Sequence, residues 1–230
     1  MLSPYRSSGS YLTIMKDGTV KQLNPFSGTE VWTVPGRGNR PLGIRAEQPH
    51  PLRPEDDGHH CAFCHARYLE TPPEKSRMIR TGDRWHTVYR TPAEHLFDTV
   101  AEFRRIPNLF EILSFDYWHE NYGYEIPPDI AERRRRYLES PAGREHVLSV
   151  ARNKLRAAGR TPEQIAGYDD DEVIAYASGF FGGGHDVIVA RRHFRDGAEN
   201  TSQLASSGTL TPEEHYYYVA FTVESMLRLY

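Results

Sequence analysis

Two cysteines separated by two residues, Cys61-Ala62-Phe63-Cys64, constrain this chain more than any other feature, because such a turn presents both sulfurs to one point. They are the only cysteines in 230 residues. A Cys-x-x-Cys turn reads as half of a tetrahedral zinc site, as a redox dithiol, or as two unrelated buried thiols, and spacing alone does not choose among them. The surroundings favour metal. The preceding Glu55-Asp56-Asp57-Gly58-His59-His60 is a polar loop rather than the buried strand that leads into a thioredoxin-like redox turn, and His59, His60 and His65 crowd the pair. From Ala46 to Thr81 the sequence is irregular and proline-rich, so a metal would staple a stretch with little apolar content of its own.

The whole-chain balance excludes several classes of function. A formal charge of −3 and a pI near 6.4 do not suit a non-specific nucleic-acid binder, which needs a basic surplus to displace counterions from phosphate. The start, Met1-Leu2-Ser3-Pro4-Tyr5-Arg6, lacks the apolar core of a signal peptide, and no apolar run approaches a membrane-spanning length. A cytoplasmic protein with reduced thiols, engaging neither membrane nor nucleic acid, is expected. The even spread of apolar residues predicts one domain over 1–230.

Along the chain, Tyr11–Met15 and Val20–Leu23 flank an Asp17-Gly18 turn and read as a hairpin. Asn24-Pro25-Phe26-Ser27-Gly28 then turns the chain into a strand over Thr29–Val34. Arg37-Gly38-Asn39-Arg40-Pro41 follows as a rigid cationic turn. Two arginines three apart in a glycine-containing loop suit a phosphate, although taken alone the solvated-loop reading leads. Trp85–Tyr89 reads as a strand, and Thr91-Pro92-Ala93-Glu94 as the capped start of a helix with Leu96, Phe97, Val100 and Phe103 on its apolar stripe. His95 within it reads as a surface or boundary residue. A further strand is expected over Glu111–Trp118, after Pro107-Asn108. An asparagine fixed behind a proline can serve a ribose or phosphate, though such residues more often bond their own turn.

Pro127 to Ser178 reads as helical, with starts at Pro127-Pro128, Ser140-Pro141, Thr161-Pro162 and Asp169, and an end at Gly159. Arg133–Arg136 reads as a solvated helix face paired with Glu132 and Glu139. Asp186–Arg191 is the most strand-like run and is expected to be a central strand, with His193 just past its end, able to aim an imidazole at the cysteine loop. Thr211-Pro212-Glu213-Glu214 caps a last helix whose Val219, Val223, Met226 and Leu227 read as the buried stripe.

Taken together, Asn24-Pro25 with Gly28, Arg37-x-x-Arg40-Pro41, Cys61-x-x-Cys64, Pro107-Asn108, Gly184-His185-Asp186-Val187-Ile188-Val189 and His193 resemble, in order, the amino-terminal half of galactose-1-phosphate uridylyltransferase of the histidine-triad superfamily, in its actinobacterial type. The resemblance implies an α+β fold, an antiparallel sheet of the histidine-triad half-domain type with flanking helices, and it leaves residues 121–178 as a helical insertion. It implies zinc on Cys61, Cys64 and His193, and Arg37, Arg40 and Asn108 on the nucleotide side. The family's reaction exchanges UDP-glucose and galactose 1-phosphate for glucose 1-phosphate and UDP-galactose through a uridylyl-histidine, whose histidine lies in a His-Pro-His-x-Gln motif. No such motif stands in this sequence, so the catalytic histidine and the fourth zinc ligand are expected on a separately encoded carboxy-terminal half. The fourth position could otherwise fall to water, His59, His60 or His65. The UDP-sugar and sugar 1-phosphate would be the small-molecule partners. The competing reading is a zinc-stabilised nucleotide-binding or interaction module without transferase activity, and a third is a piece of a longer polypeptide.

Overall fold

The Asp17-Gly18 hairpin forms as its turn chemistry dictates. The Asp17 carboxylate accepts hydrogen bonds from the Thr19 amide (3.0 Å) and hydroxyl (2.8 Å), and Gly18 takes a φ of 82°, a left-handed conformation that a side chain disfavours. The computed structural model describes residues 11–35, 48–109, 113–182 and 184–228, which mix helices with two antiparallel sheets. Two compact units emerge, one of Met1–Ala46 with Asp116–Glu125, the other of Glu47–Phe115 with Ile126–Tyr230.

In the smaller unit, β1 (Leu12–Ile14), β2 (Val20–Leu23) and β3 (Glu30–Thr33) form an antiparallel meander in which Leu12 faces Gln22 and Val20 faces Thr33. The Asn24 side chain closes the second turn by accepting from the Phe26 and Ser27 amides. Helix α1 (Phe115–Tyr122) takes up the second half, Phe115–Trp118, of the stretch expected as a strand. Its Tyr117 hydroxyl accepts from Trp32 Nε1 at 2.9 Å, and Tyr117 edges against Trp118. These aromatics pack as a helical cluster rather than alternating across a sheet.

The larger unit is organised on a four-stranded sheet of order β5-β4-β6-β7, with β4 Ser76–Thr81, β5 Arg84–Tyr89, β6 Phe103–Pro107 and β7 Asp186–Ala190. The expected central strand is therefore an edge: β7 pairs with β6 alone among the described residues, and its five residues are half-buried. The central places go to β4, within a segment read as irregular, and to β6. Register sets Met78 opposite Phe103 and Arg77 opposite Arg104, so the two faces carry different chemistry. One face holds Met78, Phe103, Trp85 and Ile188, covered by α7 (Pro212–Met226).

Helix α7 turns a different stripe inward from the one its aliphatics suggest. Phe221 is fully buried, Tyr217 stacks on Trp85 at 4.5 Å between ring centroids, and Tyr218 tilts against Phe103 at 5.7 Å. Val219, Val223, Met226 and Leu227 are exposed. Aromatic stacking onto the sheet outweighs the smaller aliphatic burial.

On the other face, beside the buried Ile79 and Ile106, charged groups are buried as well. Glu74, 1 % exposed, bonds Arg77 Nε and accepts from Arg104 Nε at 2.7 Å. Arg77 Nη1 also donates to the backbone oxygens of Leu96 (2.8 Å) and Thr99 (2.9 Å). These are carbonyls that a helix through residues 92–103 would use for its own bonds. The segment forms a single 3₁₀ turn, Ala93–His95, with Phe97 and Val100 exposed and Phe103 delivered to β6 instead of the expected stripe. His95 is exposed and bonds Asp98, as read. Both guanidiniums stand over the Tyr68 ring, their carbons 4.2 Å (Arg104) and 5.0 Å (Arg77) from its centre.

The helical run forms as α2 (Pro128–Glu139), α3 (Pro141–Ala157), α4 (Pro162–Ala166), α5 (Asp170–Ala175) and α6 (Gly179–Gly182). Side-chain caps from Ser140, Thr161 and Asp169 start three of them. Val147, Val150, Val173, Phe180 and Phe181 form their core. His146 of α3 is buried and donates from Nε2 to the Thr71 carbonyl (2.7 Å), so its Nδ1 accepts from the Tyr137 hydroxyl (2.7 Å). Burial, opposed by the Thr71 bond and helped by Arg104, holds this imidazole down to about 4. The unfolded chain takes that proton near the ordinary value of 6.5 while the folded chain does not. Stability is therefore complete above about 6.5 and drains as pH falls toward 4, by on the order of 3 kcal/mol. Urea midpoints at pH 7.5 and pH 5 should differ accordingly, and His146→Gln should flatten the difference. Equal slopes in parent and variant would show that other groups drive it.

A Cys2His cluster at the end of the edge strand

The cysteine turn is built around a close backbone approach. Gly58 has a φ of 78°, and a Cβ there would meet the His65 ring at 2.6 Å, so only glycine fits both the conformation and the space. The Ala66 amide donates to the Gly58 carbonyl and the Cys64 amide to the Cys61 carbonyl (3.0 Å), which curls the loop until both sulfurs point inward. Arg67 locks it from outside, giving Nη1 to the His59 carbonyl while its remaining nitrogens hold Glu70.

His193 arrives from the other side. Past the end of β7, its carbonyl accepts from the Ala205 amide (2.9 Å), and Phe194 bridges to Leu204. These contacts set His193 Nδ1 3.4 Å from each sulfur, with the sulfurs 3.7 Å apart. The separation is far beyond a disulfide bond, and both cysteines are free. Ligands about 2.3 Å (sulfur) and about 2.0 Å (nitrogen) from a tetrahedral zinc would stand about 3.8 Å and about 3.5 Å from one another. The observed triangle has those edges. Cys61, Cys64 and His193 form a group able to hold a metal ion, and soft thiolates with an imidazole suit zinc among the divalent ions.

The free groups are poised by burial. Burial pushes the Cys64 thiol up, with the neighbouring Cys61 adding to it, and burial followed by the charge of His60 pulls the His193 imidazole down. A cavity of about 240 Å³ opens beside the cluster, lined by Phe63, Val189, Arg191 and Leu204 among others. His59, His60 and His65 do not join the group. His60 instead stands edge-on to Phe194 at 4.6 Å, and the His65 ring lies against Gly58. Among the described residues the group offers three donor atoms, one fewer than a tetrahedral set takes.

The nucleotide-side residues are not gathered there. Asn108 follows β6 and gives its amide to the His185 carbonyl (3.0 Å). It therefore sits at the opposite end of the β6–β7 pair from His193, roughly 17 Å along the strands. Arg37 and Arg40 lie outside the described residues. What sequence reasoning missed is the buried acid chemistry of the sheet: Glu74 between two arginines, and Asp186 between Lys75 (2.8 Å) and Arg105 (2.6 Å). The available signal was arginine recurring within short runs rich in Met, Ile and Phe, with an acid within a few residues.

Fold and site together define an α+β protein carrying a Cys2His cluster that can hold a metal. The chain belongs to the family described as a domain of unknown function, DUF4921, which it matches over residues 15–230. No curated protein and no solved structure matches it. Among the described residues no helix is long and apolar enough to cross a membrane.

Proposed function

We propose that this chain is the amino-terminal half of a uridylyltransferase of the galactose-1-phosphate type. It would be a histidine-triad half-domain that holds zinc and the nucleotide, while a separately encoded carboxy-terminal half brings the nucleophile. One observation carries this reading. His193, 129 residues beyond Cys64, stands 3.4 Å from both sulfurs, the ligand pattern that the uridylyltransferase resemblance implies. The outer edge of β7, unpaired among the described residues, supports it as well, since a strand of a second half could pair there.

On this reading the partner's imidazole attacks the α-phosphorus of UDP-glucose, and the bond from that phosphorus to the oxygen of glucose 1-phosphate breaks. A phosphate oxygen of galactose 1-phosphate then attacks the uridylyl-imidazole phosphorus, giving UDP-galactose and restoring the imidazole. This chain's part is positional. Arg37 and Arg40 would hold the diphosphate by paired donors, with Asn108 on the nucleotide side. When bound, zinc supplies a rigid link between the cysteine loop and the end of β7, with a fourth position for a donor from the other half.

The test is radiolabel from UDP-glucose carrying phosphorus-32 at the α-phosphate, trapped on protein. The isolated chain should take up none, and addition of a half bearing His-Pro-His-x-Gln should place label on that half. Label on the isolated chain would mean one of its own histidines is the nucleophile. Nucleotide binding with no label in the complemented pair would favour the non-transferring module.

A further inference from the structure

A second cavity, of about 430 Å³, shares no residue with the cysteine cluster. Its wall includes Arg90 after β5, Glu94, Asp129, Arg133, Tyr137 and Ser140. Most of its charges are already matched. Arg90 Nη2 bonds Asp129 (3.0 Å), Arg136 Nε bonds Glu132 (2.6 Å), and the Ser140 hydroxyl donates to Glu94 (3.1 Å).

Arg133 is the exception. It was expected on a solvated face, as Arg135 and Arg136 are, yet it is only 8 % exposed. Its Nη2 donates to the Glu74 backbone oxygen (2.7 Å), its Nε is buried with no partner, and it forms no ion pair among the described residues. The nearby acids are committed elsewhere, Glu74 to Arg77 and Arg104, and Asp186 to Lys75 and Arg105. Burial, then the charge of Arg90, lowers Arg133 to about 10, which leaves it cationic at neutral pH. A desolvated cation on a cavity wall without a counter-charge is costly unless an anion arrives. Arg90 adds a second sign, because its φ of 57° makes it the one non-glycine residue with positive φ among the described residues. Strain of that kind accumulates at ligand sites.

We propose that this cavity binds a small hydroxylated oxyanion, a carboxylate or a phosphate ester, with its anion on Arg133 beside Arg90 and its hydroxyls donating to Glu94 and Asp129. The volume falls within the range of small-molecule sites. A single unmatched guanidinium sets the charge the ligand must bring, and the flanking carboxylates reject a bare polyanion while accepting hydroxyl donors.

Glycerate and glycerol phosphate share a skeleton and differ in the anion, so they serve as probes, with chloride at matched ionic strength as the control. Titration followed by the Arg133 Nε–Hε resonance, assigned by its loss in Arg133→Lys, should shift with at least one probe and not with chloride. The stronger probe identifies the anion. Arg133→Met should weaken that binding by about tenfold or more. Should Arg133→Met fail to fold, Arg90→Ala, altered at an exposed side chain, should weaken it severalfold. No shift with either probe at millimolar concentration, or unchanged affinity in the variant that folds, would overturn the site.

Discussion

Glu74→Gln is expected to remove on the order of 3 to 5 kcal/mol of folding stability, a large fraction of a typical domain's margin. The carboxylate is 1 % exposed and bonds two guanidiniums, Arg77 and Arg104, that are themselves buried to 0 % and 2 % exposure. An amide keeps the shape and one acceptor but no charge, which strands two cations against the centre of the sheet. Arg133, bonded to the Glu74 carbonyl, adds a third nearby. The same change at Glu132, which pairs with Arg135 and Arg136 at the partly exposed surface of α2, should move the denaturation midpoint far less. Urea unfolding of the two variants beside the parent decides the matter. Equal midpoints for Glu74→Gln and Glu132→Gln would mean that the buried arginines do not depend on this carboxylate.

That network also explains how far the sequence could be read. Elements defined by local chemistry were legible: the Asp17-Gly18 hairpin, and the helices begun by Ser140, Thr161, Asp169 and Thr211, whose side chains cap the first turn. Elements defined by tertiary chemistry were not. Ser76–Thr81 and Phe103–Pro107 carry arginines at positions that turn out to be buried, and only the folded proximity of Glu74 and Asp186 makes those positions tolerable. The helix expected over 92–103 loses its carbonyls to Arg77, a residue from a strand the sequence did not announce. On α7 the periodicity was right and the face was wrong, because Tyr217, Tyr218 and Phe221 find Trp85 and Phe103 to stack on.

The cysteine site was legible for a different reason. Cys61 and Cys64 declare themselves by spacing, but His193 lies 129 and 132 residues away, and it was reached through its place just past a predicted strand and through family resemblance, not through spacing. The exclusion of His60 and His65 was not readable at all, since it depends on where Phe194 and Gly58 draw those rings. Metal removal should bear out this division. Residues 53–66 are tied down by the cluster and by turns, whereas Tyr68 and Glu74 anchor the following chain to the sheet without it. Hydrogen exchange in the chelated protein should rise first in 53–66, while β4 and β6 keep their protection.

The largest expected effect of all is on metal content, because two thiolates lost from a three-ligand site leave one imidazole, which cannot hold the ion at ordinary concentrations. Elemental analysis of the purified parent and of the Cys61→Ser, Cys64→Ser double variant measures it directly. The parent should carry about one zinc per chain and the double variant essentially none. A double variant that retained its full zinc would place the metal elsewhere and contradict the assignment of Cys61, Cys64 and His193.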